Sequence, residues 1–130
     1  MLEGINILIV EDNLLNQKIV SYILQKQRAI VKMAMNGKEA IDLLLKNAFD
    51  IVLMDIQMPE MDGYSAIKYI REEMKNNVPI IALTAGLFTD ELHNCERIGA
   101  NACISKPINP NSLCDLILNL VKEHKNKFEK

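Results

Sequence analysis

Five short apolar runs, each ending at a polar residue and each followed by helix-spaced apolar residues, leave few architectures open to this chain. Ile5-Asn6-Ile7-Leu8-Ile9-Val10 stops at Glu11-Asp12-Asn13, and Ala29–Ala34 stops before the turn pair Asn36-Gly37. Ile51-Val52-Leu53-Met54 stops at Asp55, Pro79-Ile80-Ile81-Ala82-Leu83 at Thr84, and Ala102-Cys103-Ile104-Ser105 at Lys106-Pro107. Runs of this length with apolar side chains on both sides of the pleat suit strands covered on both faces. Alternating with helices, they predict an α/β fold with a five-stranded parallel sheet and helices on each side.

The helical stretches follow from the 3.6-residue period. Asp12 or Asn13 can cap a first helix from Leu15 to about Gln27, with Leu15, Ile19 and Ile23 as its apolar stripe and Gln17, Lys18, Gln25 and Lys26 outside. Lys38–Leu45 turns Ala40, Ile41, Leu44 and Leu45 inward, and a third helix spans about Tyr64 to Met74 with Lys68, Arg71, Glu72, Glu73 and Lys75 on a solvated face. Thr89 or Asp90 can cap a fourth helix running to Ile98, where Gly99 is a natural stop, and a closing helix spans Asn111 to about His124. The 130 residues thus make one domain, 1–124, and a charged C-terminal tail, 125–130.

Composition removes several classes of partner. Fifteen Lys and Arg against 17 Asp and Glu give a net charge of -2, without the basic excess that nucleic acid or an anionic membrane would demand. No apolar run approaches the roughly 20 residues of a membrane span, and Met1–Asn6 lacks a secretory pattern, so a cytoplasmic protein is expected. Cys95, Cys103 and Cys114 have neither disulfide-framework nor zinc-ligand spacing and are read as reduced thiols. With 5% aromatic residues and no Trp there is no stacking platform for single strands.

In a parallel sheet of this kind, ligands sit at the carboxyl ends of the strands, where strand order reverses. Glu11, Asp12 and Asp55 would bring three carboxylates to that rim, a repulsive set that calls for a cation. Mg²⁺ suits oxygen ligands and phosphate co-ligands. Thr84 adds a hydroxyl and Lys106 a compact positive charge, an arrangement fitted to the oxygens of a phosphoryl group in transfer. Asp55 is the candidate nucleophile, because it ends the central strand before an open loop bearing Pro59 and Gly63. Glu11 and Asp12 are better placed as a metal clamp, and the carbonyl of Gln57 can add an oxygen ligand.

Four segments then carry a family resemblance: Glu11-Asp12-Asn13, the run from Val52 through Asp55 to Gly63, Leu83-Thr84-Ala85 and Ser105-Lys106-Pro107. Together, in this order and across nearly the whole chain, they resemble the receiver domain of two-component response regulators. The resemblance implies a doubly wound, flavodoxin-like sheet of order 2-1-3-4-5. It implies that Asp55 accepts phosphate from a phosphohistidine, that Asp12 binds Mg²⁺ directly with help from Glu11, and that Lys106 contacts a phosphoryl oxygen. Thr84 would move toward the phosphate and alter the surface of the fourth helix and last strand for a downstream effector. Gln57 and Gly86 fall where relatives set phosphate lifetime, and Lys106-Pro107 is expected to be cis.

The resemblance implies a signalling phosphoacceptor, not an enzyme. Its partners would be a histidine kinase or histidine phosphotransfer protein and a downstream effector, with no direct contact to nucleic acid or membrane, as a monomer or a weak phosphorylation-dependent dimer. Asn13 and Asn16-Gln17 resemble receivers attached to hybrid sensor kinases. One departure is Cys103, where many similar receivers carry Tyr or Phe.

Taken singly, these residues have ordinary readings: Glu11 a solvated turn carboxylate, Thr84 a strand-end hydroxyl, Lys106 a solvated cation, Asp62-Gly63 a turn and cap. Their convergence at one rim favours chemistry. His93 and His124 have no metal-spaced partner and receive no site role. A Mg²⁺-dependent phosphatase with an Asp nucleophile would want a second acid at Gln57, and a receiver-shaped module without phosphoacceptance is favoured only by Cys103.

Overall fold

A computed structural model describes residues 1–56, 63–84 and 96–128. The strands are β1 (Asn6–Val10), β2 (Ile30–Ala34), β3 (Ile51–Asp55), β4 (Ile80–Thr84) and β5 (Ala102–Ser105). Between and after them run α1 (Leu14–Lys26), α2 (Gly37–Lys46), α3 (Gly63–Glu72) and the closing α4 (Pro110–Phe128). The start of the helix expected over 89–98, with Thr89 and Asp90, lies outside the described residues, as do Gln57, Asp62, Gly86, His93 and Cys95.

All four pairings are parallel and the order is β2-β1-β3-β4-β5, the doubly wound arrangement expected. Period-two alternation divides each central strand between two cores. Leu8, Val10, Val52, Met54, Ile80 and Ala82 pack with Ala40, Ile41, Ala66 and Ile67 of α2 and α3. Ile7, Ile9, Ile51, Leu53, Ile81 and Leu83 pack on the opposite face with Val20, Leu24, Leu113 and Ile117 of α1 and α4. β3 and β4 are buried throughout, whereas β2, on the sheet edge, alternates between exposed and half-buried positions until Ala34.

Helix starts follow side-chain capping. Asn13, rather than Asp12, caps α1, its Oδ1 accepting from the Asn16 amide at 3.0 Å. Asn36 accepts from the Glu39 amide at 2.9 Å while Glu39 accepts from the Met35 amide at 3.2 Å, fixing the entry to α2. Asn109 accepts from the Ser112 amide at 3.0 Å at the start of α4.

Four expectations are corrected. α1 buries Gln17, Val20 and Leu24, while Leu15 is 66% and Ile19 49% exposed. Leu15 and Ile19 of the stripe read from the sequence therefore face outward while Ile23 packs at the core's edge, because the Gln17 amide finds partners inside and its polarity does not force it into water. On α2, Leu45 is exposed and Ala40, Ile41 and Leu44 suffice for the core. Arg71 leaves the solvated face of α3 and is half-buried, donating to the carbonyls of Gly99 at 3.0 Å and Asn76 at 2.7 Å and to Asn101 Oδ1 at 2.9 Å. The closing helix continues past His124 to Phe128, since residues 125–128 contain neither Gly nor Pro and Lys125 and Lys127 complement the negative end of the helix dipole.

Gly99 has a φ of 115°, open to glycine, and a Cβ there would press on the Arg71 side chain. Lys106-Pro107 is cis, as the resemblance implied. Cys103 and Cys114 form no disulfide. No helix among the described residues is long and apolar enough to cross a membrane.

Candidate functional site

Strand order turns around between β1 and β3, since β1 leads outward to β2 while β3 leads the other way to β4. In doubly wound sheets such a reversal marks where ligands bind, at the carboxyl ends of the two strands. Glu11 and Asp12 follow β1 on one side of it, and Asp55 ends β3 on the other. One oxygen from each of the three carboxylates can be chosen so that all lie within 4.8 Å of one another. Glu11 and Asp55 are almost wholly buried, and Asp12 is half-buried.

Lys106 enters from the end of β5. Its Nζ donates to Glu11 Oε1 at 2.9 Å and to Asp55 Oδ2 at 3.2 Å. Burial by itself would lower the ammonium pKa, but the Glu11 hydrogen bond and the charges of Asp55 and Glu11 outweigh it and hold the group above the usual lysine range. Lys106 is therefore a fixed cation at neutral pH. The Lys106 amide donates to the Thr84 carbonyl at 2.8 Å, which locks the β4 and β5 ends in register, with Thr84 fully buried opposite Ser105.

Five of the six residues singled out in the sequence, Glu11, Asp12, Asp55, Thr84 and Lys106, thus come to the same edge of the sheet. The sixth, Gln57, lies outside the described residues. Cys103 is half-buried on β5 and packs against the α2 and α3 core, so the position of the absent aromatic is filled by a small thiol.

Two supporting residues were not recognised from the sequence. Gly63 begins α3 directly against the end of β3, where an added Cβ would lie 2.5 Å from the Asp55 carbonyl oxygen and still closer to Ile56 Cα. Its role is space, which a turn reading of Asp62-Gly63 does not distinguish. Gln17 sits beneath the loop after β1 and donates from Nε2 to the Glu11 carbonyl and to Met35 Sδ. Its spacing with Val20 and Leu24, at i, i+3 and i+7, was the available signal, hidden by the stronger apolar count of the opposite stripe.

Residues 7–118 match the response regulator receiver domain family. The hybrid signal transduction histidine kinase B of Dictyostelium discoideum is 39% identical over 132 residues, covering 92% of this chain and 7% of that protein. The autoinducer 2 sensor kinase/phosphatase LuxQ of Vibrio vulnificus is 38% identical over 116 residues, covering 89% of this chain and 14% of that protein. The chain spans 5% to 14% of the length of curated relatives of this kind.

Among solved structures, Vibrio cholerae chemotaxis protein CheY4 superposes with a TM-score of 0.83 at 28% identity, over 89% of this chain and 98% of that one. A chain of the co-crystal structure of the Saccharomyces cerevisiae histidine phosphotransfer protein Ypd1 with the receiver domain of Ssk1 gives 0.86 at 32% identity, over 92% and 90%. Sharing both that sequence pattern and that sheet, the chain belongs to the response regulator receiver domain family, the signalling phosphoacceptor domains of two-component phosphorelays.

Proposed function

We propose that Asp55 receives a phosphoryl group from a phosphohistidine in a Mg²⁺-dependent step and that the altered rim is read by a downstream partner. The observation that carries this reading is a charge imbalance: three carboxylates gathered within reach of one ion, against the single ammonium of Lys106. Among these four residues three negative charges and one positive leave two negative, the deficit a divalent cation makes up. The donor set is all oxygen and hard, which suits Mg²⁺. Asp12 and Asp55 would hold the ion, with Glu11 assisting and the Gln57 carbonyl as a further ligand. When bound, Mg²⁺ supplies the positive charge that offsets repulsion between a carboxylate nucleophile and phosphoryl oxygens.

In the transfer itself, an Asp55 carboxylate oxygen attacks phosphorus. The O–P bond forms while the N–P bond to the donor imidazole breaks, and that nitrogen keeps the bonding pair. Lys106 gives part of its hydrogen bonding to a phosphoryl oxygen, stabilising charge that develops beside it. Thr84 donates its hydroxyl to a second phosphoryl oxygen and draws the segment after β4 inward, which changes the surface formed by β5 and the helix expected over 89–98. With Cys103 in place of an aromatic, this motion acts without a turning ring.

The donor is a histidine kinase or histidine phosphotransfer protein, a reading supported by likeness to sensor kinases and to the Ypd1–Ssk1 complex. Ile19 of α1, half exposed, lines a groove shared with Val20, Lys106, Pro107 and Ile108, and Leu14 and Leu15 are exposed on the same helix, giving such a donor an apolar face beside the rim. The domain acts in the cytoplasm as a monomer or as a weak dimer once phosphorylated.

The test is a titration with BeF₃⁻ followed by backbone NMR. Binding is expected only with Mg²⁺ and is expected to vanish in Asp55→Asn. Binding retained by the Asp55→Asn variant contradicts the assignment.

A further inference from the structure

A buried glutamine on the inner face of α1 is the feature that the phosphoacceptor chemistry does not itself use. Gln17 is 7% exposed, alongside the apolar Val20 and Leu24, where an aliphatic side chain would satisfy the core. Burying an amide is costly unless its polar atoms are partnered. Here the Nε2 group reaches the Glu11 carbonyl and Met35 Sδ, so one side chain bridges the chain leaving β1 and the chain leaving β2.

Glu11 is consequently held at every polar group. Its amide donates to the Ala34 carbonyl at 3.0 Å, Oε2 accepts from the Asn13 amide at 3.2 Å, Oε1 accepts from Lys106 at 2.9 Å, and its carbonyl accepts from Gln17. The carbonyl of Glu11 belongs to the peptide plane that continues into Asp12. Fixing that plane fixes the Asp12 amide and Cα, and leaves only the Asp12 torsions to set where its carboxylate goes. A site built on side chains locked from behind loses less freedom when its ligand arrives.

We propose that Gln17 is a positioning residue that sets the orientation of the Glu11–Asp12 peptide and so the affinity of the rim for Mg²⁺. The inference rests on the reading of that rim as a Mg²⁺ site, and it adds that the metal affinity is tuned from the helix interior by a neutral side chain that touches neither metal nor phosphate. Met35 takes part as the second acceptor, which keeps the amide from rotating away from Glu11.

The test compares wild type with Gln17→Met and Gln17→Leu, two variants of similar volume, and with Leu24→Ala as a control that loosens the same helix away from the groove that Glu11 and Lys106 line. Two quantities are read: the Mg²⁺ dissociation constant from backbone NMR titration, and the Glu11 carbonyl ¹³C and Asp12 amide ¹⁵N shifts in metal-free protein. Both Gln17 variants are expected to bind Mg²⁺ about fivefold more weakly, the loss of one buried hydrogen bond, with both shifts displaced before any metal is added. Leu24→Ala is expected to lower the unfolding midpoint while leaving the dissociation constant and the two shifts in place. Unchanged Mg²⁺ affinity in the Gln17 variants overturns the inference, as does an equal weakening in Leu24→Ala. Failure of wild type itself to bind Mg²⁺ overturns the reading of the rim, and the inference with it.

Discussion

The two ends of the sheet each hold a cation, and they hold it differently. At the amino end, Arg71 donates to the carbonyls of Gly99 and Asn76 and to Asn101 Oδ1, and that same Asn101 oxygen accepts from the Ile80 amide at 2.9 Å. Every acceptor there is neutral. Burial lowers the guanidinium pKa, but from so high a starting value that the charge persists at physiological pH. At the carboxyl end, Lys106 faces Glu11 and Asp55, with Asp12 beside them. Its acceptors are charged and outnumber it. The amino end is a joint that ties α3 to β4 and to the chain before β5. At the carboxyl end, among the described residues, three carboxylates gather about one ammonium, the imbalance on which the proposed binding of a cation and then of phosphate rests.

The sharpest way to break this contrast is at Gly63, where rim and helix meet. Gly63→Ala puts a methyl group against the Asp55 carbonyl and Ile56 Cα. A loss of about 3 kcal/mol of stability is expected, measured by urea unfolding, together with weakened Mg²⁺ binding. Stability and metal binding both unchanged would mean that the close approach of α3 to β3 does not matter.

Arg71→Met should act on the amino end alone. It strands the Gly99 and Asn76 carbonyls and should cost about 2 kcal/mol in the same unfolding experiment. Its Mg²⁺ dissociation constant should equal that of wild type, and added Mg²⁺ should not repair the destabilisation selectively. A change in metal affinity would show that the two ends are coupled.

Lys106→Met should do the reverse. Removing the ammonium lifts a like charge from the metal's surroundings, a gain of about 1 kcal/mol or about fivefold in Mg²⁺ affinity. Phosphoryl transfer should slow, because the donor to the phosphoryl oxygen is gone. Calorimetric titration and a timed phosphorylation assay read the two effects separately, and weaker Mg²⁺ binding would contradict the charge balance described for the rim.

The smallest effect on the protein itself is expected from Ile19→Asp, an exposed position whose substitution should leave stability within about 0.5 kcal/mol. Transfer from a phosphorylated histidine phosphotransfer protein should slow, while phosphorylation by acetyl phosphate should not. Equal slowing with both donors would remove α1 from the docking surface.

The carboxyl end was far more legible in the sequence than the amino end. Strands apolar on both faces can only be covered on both faces, and each strand end was marked by an abrupt change of residue type, as at Val10-Glu11 and Leu83-Thr84. Glu11, Asp12, Asp55, Thr84 and Lys106 were therefore readable as strand-end residues from the sequence alone. Arg71 was not, since its partners are two backbone carbonyls and an asparagine far along the chain, and a charge on a mixed-charge helix looks solvated. Gln17 and Leu15 exchanged places for a related reason: hydrophobicity ranks side chains by what they lose in water, whereas Gln17 is kept inside by what it gains from Glu11. Leu45 was misplaced because the buried arc of α2 runs through Gly37, Ala40, Ile41 and Leu44, with Leu43 rather than Leu45 packed at its margin.

The most direct measurement is the intact mass of the protein after incubation with acetyl phosphate, with Mg²⁺ or with chelator, followed by peptide mapping of the modified residue. A gain of one phosphoryl group that requires Mg²⁺ and maps to Asp55 is the expected result. No gain with Mg²⁺ present, or a gain that maps to another residue, would contradict a rim built to make Asp55 the phosphoacceptor.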